Sequence, residues 1–205
     1  MKKFELTDEF VTNVFGHKLF RIKALVAFGD VEKGELGGFI EKEDNLSHDD
    51  NAWVYGNAQV SGNAWVSGNA QVSGNAWVSG NAQVFGDARV FGDARVCGNA
   101  QVFDNARVFG DAQVFGDAQV FGDARVSGNA DYAVVAGFGR YFRTTTFFRC
   151  KDKILRVQCG CFYGDLAQFR EIVKKTHGDS KYAKEYLAIA DLMELHFSDE
   201  CGGEQ

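Results

Sequence analysis

The chain has 205 residues, 45% of them hydrophobic, and a formal charge of −6 at neutral pH. That is enough apolar material for one elongated domain or a small core with appended modules, and it argues against a disordered chain. No apolar run approaches the roughly 18 residues of a membrane span, and the opening MKKFELTDEF has two lysines with no apolar stretch behind them, so a cytoplasmic protein is expected. Five cysteines, an odd number, point to reduced thiols rather than a disulfide framework. The charge divides as −4 over residues 1–53, −3 over 54–131 and +1 over 132–205, so any nucleic-acid footprint has to be local.

In chain order, FVTNV and KLFRIKALVAF read as strands, and residues 1–51 are expected to form an N-terminal β cap. A hexapeptide repeat follows, assigned to residues 52–136. Valine occupies position 54 and every sixth position to 126, thirteen times without a slip. Between valines the order is variable, Gly, Asn or Asp, Ala, variable, and the glycine is missing only at Asp104. Ala and Val lie two apart, so in an extended segment both face one side and the variable residues flanking Val face the other. Gly-Asn or Gly-Asp then turns the chain, because these residues tolerate left-handed backbone angles. The extended part is too short for hairpins. Three hexads per turn stack residue i on residue i+18 at about 4.8 Å, giving a three-sided parallel coil with Val and Ala inside.

VSGNAWVSGNAQ and its copies over 54–131 resemble the hexapeptide repeat of left-handed β-helix proteins. The flanking stretches KGELGGFIEKEDNLSHDDNAWVYGNAQV and FRTTTFFRCKDKILRVQCGCFYGDLAQF resemble the entry and exit segments of hexapeptide β-solenoids of bacteria and prophages, a family mostly without an assigned activity. The resemblance implies a mainly β fold in a bacterial host. It also implies a possible phage connection, such as an inhibitor of a host defence protein (an anti-CRISPR or other anti-defence factor).

Stacking by 18 turns the variable letters into three faces. One carries Trp53, Gln71, Arg89, Arg107 and Arg125 beside Tyr55, Ser73, Phe91, Phe109 and Ser127. A second carries Trp65, Gln83, Gln101 and Gln119 beside Ser67, Phe85, Phe103 and Phe121, and has no charge. The third, with Gln59, Trp77, Arg95 and Gln113 beside Ser61, Ser79, Cys97 and Phe115, is mixed. Contiguous outward aromatics on a soluble protein mark an interface, and here they concentrate toward the later coils. The expected binding residues are therefore Phe85, Phe103, Phe121, Phe91, Phe109, Phe115, Arg89, Arg107 and Arg125, with a homo-oligomer, dimer or trimer, and a host protein as partners.

Residues 137–205 read as an α+β domain of two strands and two helices that caps the coil. The strands are YFRTTTFFRC and KILRVQCGC around a CKDK turn. Asp165 caps LAQFREIVKKTH, Gly178 ends it, and Asp179 or Ser180 caps KYAKEYLAIADLMELHF. Cys150, Cys159 and Cys161, with His177, supply four thiol and imidazole groups of the kind that bind zinc, but without the usual C-x2-C spacing; buried structural thiols are the simpler reading, and no metal or cofactor is expected. Arg140, Arg143, Arg149 and Lys151 interleave with aromatics in the manner of single-strand nucleic-acid surfaces, although strand alternation explains the pattern as a solvated face backed by core rings. No catalytic residue is assigned. Many left-handed β-helix proteins are acyltransferases, which implies a histidine general base, but His17, His48, His177 and His196 all lie outside the coils. Only His48 is near them. The expected function is a non-catalytic, self-associating scaffold that binds a macromolecular partner; the alternative is an acyltransferase-like enzyme.

Overall fold

A computed structural model describes residues 2–198, which divide into two units between Asn129 and Ala130. The first is a parallel β-solenoid. Thirteen two-residue strands, from Trp53–Val54 to Arg125–Val126, recur every six residues and stack at i+18 into three parallel sheets. The alanines and valines of all thirteen hexads are buried, almost all with no exposed surface. The layers are joined by main-chain bonds to the carbonyl 17 residues on, as from Gln59 N–H to Ala76 O (2.9 Å) and from Ser61 N–H to Val78 O (3.0 Å). Each corner has its glycine at positive φ. Gly62, at φ +68°, also lies so close beneath the next layer that a Cβ would stand 3.0 Å from Gly80 O, so both the angle and the stacking demand glycine. Asp104, the one interruption, adopts the same left-handed angle (φ +56°), and the coil passes through it without a break.

The coil begins before residue 52, the expected boundary. Phe39 and Ile40 pair in parallel with Gln59 and Val60, and Leu46 bridges to Val66, so Ile40 and Leu46 fill the core positions of the first turn. With thirteen valines they make fifteen inward positions, three per turn, and five turns. The signal is hidden because the first layer stacks at i+20; its two extra residues lie in the loop between Leu46 and Val54, a step of eight where the repeat has six. Ahead of it, β1 (Phe4–Thr12) and β2 (Lys18–Ala24) form an antiparallel hairpin that extends one solenoid sheet through β3 (Leu36–Ile40).

Polar side chains close the first layer. Buried Asn45 donates to Gly62 O (3.0 Å) and Ala64 O (2.8 Å), and Glu41 accepts from Gly62 N–H at 2.7 Å. Lys3, 3% exposed, donates from Nζ to Ala52 O at 2.9 Å and to the carbonyls of Asp49 and Asp50. These groups satisfy backbone that an open solenoid end would leave unpaired. Burial lowers the Lys3 ammonium to about 8, against the opposing pull of Asp50 and Asp49.

The second unit is a four-stranded antiparallel sheet with two helices. β4 to β16 being the solenoid strands, its strands are β17 (Tyr132–Phe138), β18 (Arg143–Arg149), β19 (Leu155–Cys159) and β20 (Phe162–Asp165), in that order. Two strands were expected and four are present. The strand YAVVAGF, assigned by sequence to the end of the coil, instead pairs antiparallel with β18, Tyr132 opposite Phe148. Gly128-Asn129-Ala130 ahead of it continues the look of the repeat, but Gly128 does not take the positive φ of the other corners and Asn129–Asp131 forms a 3-10 turn instead of another layer. α1 (Leu166–His177) starts at a capping box in which Asp165 accepts from Gln168 N–H at 2.8 Å, and Gly178 ends it at φ +55°. α2 (Lys181–His196) is capped by Ser180. Phe147, Val157, Phe169, Val173, Tyr186, Ile189 and Met193 form this unit's core.

Two outcomes test this architecture. Val90→Asp places an uncompensated charge in a core with no room for water, and is expected to cost several kcal/mol and to abolish the cooperative urea transition of tryptophan fluorescence, all three tryptophans (Trp53, Trp65, Trp77) being in the coil. For Lys3, the folded pKa of about 8 lies below the free value of 10.5, so between those pH values the unfolded chain holds more protons and folding gains stability as pH rises. Urea midpoints of the wild type should therefore rise relative to Lys3→Met from pH 8 to pH 10.5; a constant difference contradicts the buried ammonium.

Candidate functional site

The neutral face consists of two ladders. Phe85 and Phe103 stack with centroids 4.9 Å apart and planes at 1°, and Phe103 and Phe121 at 4.8 Å and 3°. Beside them Gln119 Nε2 donates to Gln101 Oε1 at 3.3 Å. The expectation that these phenylalanines lie open to water needs correction: all three are partly buried, because the layer spacing falls within the centroid distance of offset-stacked rings and each covers its neighbour. Ring edges remain in solvent, with Trp65 exposed at one end of the glutamine row.

On the basic face, Arg89, Arg107 and Arg125 are in register and Phe91 stacks on Phe109 at 5.1 Å. None of these arginines has a carboxylate within ion-pair distance among the described residues. Trp53, read as the outward start of this face, is fully buried: Phe28 packs edge-on at 5.3 Å and Phe4 at 6.2 Å. Sequence spacing carried no sign of that N-terminal cover.

The mixed face is partly occupied. The tip of the β1–β2 hairpin brings Phe15 onto Trp77 (6.4 Å, 22°), and the Arg95 guanidinium lies 5.7 Å from the same ring. Two clefts of about 300 and 330 Å³ flank this contact, the second reaching Cys97 and the exposed Phe115.

The titratable groups singled out by sequence have local roles. His48 stacks on Phe4 at 4.3 Å, its Nδ1 accepts the Lys3 backbone N–H at 3.1 Å, and Nε2 lies 3.8 Å from Glu43. The ring proton therefore sits on Nε2, leaving that nitrogen no lone pair for a general base. His17 pairs with Glu41 at 3.0 Å, and His196 packs on Phe197. Bonding to Gly62 N–H and then to His17 holds the Glu41 carboxyl below the usual range.

The four zinc candidates do not assemble. Cys159 pairs with Thr145 across β18 and β19, whereas Cys150 follows Arg149 at the far end, roughly 17 Å along the strand. Cys159, Cys161 and His177 line one cleft of the second unit, but no group of three or more His, Cys, Asp or Glu side chains with metal-binding proximity occurs among the described residues. Burial, then the neighbouring Cys159, push the Tyr186 phenol in that cleft up to about 12. The basic set is also split. Arg143 begins β18 while Arg149 ends it, bonded to Phe197 O at 2.8 Å and near Asp131 at 3.9 Å, with Lys151 in the turn beyond; Phe147 and Phe148 are core. Alternation along one strand separated what the linear sequence had mixed.

The family model of the YdcK beta solenoid repeat matches residues 58–71, 70–84, 82–98, 100–117 and 118–130. No curated protein matches the chain. The matched segments follow one another along the parallel layers described above, and over them the chain is a β-solenoid whose repeat is similar to that of the YdcK family.

Proposed function

We propose that this protein is a non-catalytic scaffold whose solenoid associates through its neutral face, the occupant being a second copy of the chain. The observation that carries this reading is the Phe85–Phe103–Phe121 ladder beside the glutamine row, eight outward positions without a charge. A copy placed on the basic face would oppose Arg89, Arg107 and Arg125 to themselves, and on the mixed face the hairpin tip already covers Trp77. Two neutral faces meet without that repulsion, and closed symmetric association is the common state of soluble oligomers.

Magnitudes set the strength. Rings already mostly covered leave at most about a third of the usual ~1.5–3 kcal/mol per side chain to be gained. Four layers of short strands span about 300 Å², below the ~800 Å² per partner of a standard interface, so the association is weak and concentration-dependent. The engaged His48 supports the non-catalytic reading over an acyltransferase, in which that residue would need a free basic nitrogen.

Phe103→Asp combined with Phe121→Asp should shift the protein to a monomer in light scattering while circular dichroism stays unchanged, since these rings point away from the core. A wild type that remains monomeric as its concentration is raised, or an unchanged mass in the variant, overturns the proposal. His48→Ala should lower coil stability by about 1–2 kcal/mol through loss of the Lys3 acceptor, leaving self-association intact. Purified protein should show no acetyl-CoA-dependent transfer; transfer activity that vanishes in His48→Ala would favour the enzyme.

A further inference from the structure

The second unit has a cleft of about 190 Å³ between the β17–β18 turn, the β19–β20 turn and α1. Its floor is apolar, with Phe162, Phe169 and Val173 beneath and Ile172 at the edge. Its rim is cationic and aromatic: Arg140 and Arg143 lie against the exposed Tyr141 ring at 5.5 and 5.0 Å, and His177 stands opposite, tilted on Tyr186 at 5.8 Å.

The charges on this rim are unlike the other arginines of the unit. Arg149 is near Asp131, Arg156 pairs with Asp152 at 2.7 Å, and Arg170 pairs with Asp191 and Glu194, each at 2.8 Å. Arg140 and Arg143 have no carboxylate at ion-pair distance among the described residues, and both border the cleft. Arg143 crosses the β19–β20 turn where a Cβ on Gly160 would overlap its guanidinium, so the turn makes room for it. The opposite turn is tied down by Gly139 N–H donating to Glu185 at 2.9 Å. Between the two arginines, Phe142 is held at φ +51°, a conformation costly for a bulky side chain, and its ring is 73% exposed. Strain of this kind concentrates at ligand sites, where the surroundings hold it in place.

We propose that this cleft binds a small aromatic anion, its ring on the Phe162–Phe169–Val173 floor and its carboxylate, phosphate or sulfonate in the fork of Arg140 and Arg143. A cavity of about 150 Å³ holds one benzene ring, so this one takes one or two fused rings. Paired guanidiniums are the groups best shaped for a planar or tetrahedral anion. The site shares no residue with the proposed solenoid interface and does not depend on it.

The test is titration of the full chain with 1-naphthoate and, as the uncharged counterpart, 1-naphthalenemethanol, followed by NMR or calorimetry. Naphthoate should saturate and bind at least about tenfold more tightly than the alcohol. Arg140→Gln with Arg143→Gln should remove that preference while leaving the alcohol's affinity unchanged. Both arginines are exposed, so the fold is retained. Ile172→Asp, at the exposed edge of the floor, should weaken both ligands. Failure of naphthoate to saturate at millimolar concentration, equal affinity for acid and alcohol, or naphthoate binding unchanged in the double arginine variant overturns the proposal.

Discussion

Everything in the solenoid follows from the requirement that successive layers lie one β-spacing apart. At that distance the N–H of one layer reaches the carbonyl of the next, 17 residues on, and the interior has space for valine beside alanine and little else. The hydrophobic core and the hydrogen-bond network are thus the same constraint seen from two directions. Larger inward residues, Ile40 and Leu46, occur only in the first turn, and where the corner glycine is missing Asp104 has to take the same left-handed angle.

The constraint also acts outside. Register that places Val on Val places every other letter on its counterpart, whether or not the pair is favourable. Phenylalanine on phenylalanine gives stacked rings, while arginine on arginine gives a column of like charge. Corner asparagines form amide ladders: Asn63 donates to Asn81 at 3.3 Å, Asn81 to Asn99 at 3.0 Å and Asn99 to Asp117 at 2.8 Å. The rows from Asn51 and Asn75 end on Asp87 and Asp93 in the same way. Each of these ladders stops at an aspartate because a carboxylate accepts but has no proton to pass on. The early coils therefore invest their surface in amide bonding, and the later ones carry charge and aromatic area.

The repeat made the solenoid legible from sequence, since thirteen valines at one interval admit few other solutions, and the capping residues Asp165, Ser180 and Gly178 announced the helix ends. Ile40 and Leu46 were not legible as core because their layer stacks at a different interval, and interval was the only signal available. Trp53 had an outward letter, but Phe4 and Phe28 cover it through long-range packing that no local pattern encodes. The same holds for the cleft at Arg140 and Arg143: both arginines were noted as basic residues near aromatics, but only the pairing of the other arginines and the fold of two turns around α1 set them apart.

The central claim, that one exterior face carries self-association while the interior only holds the coil together, is tested most directly by photo-cross-linking from each face in turn. p-Benzoylphenylalanine is placed at Gln101 on the neutral face, at Arg107 on the basic face or at Gln113 on the mixed face, and irradiated at a concentration where the wild type associates. The account predicts covalent dimers from position 101 and none above background from 107 or 113. Dimers of comparable yield from either of those positions, or none from 101, would contradict it.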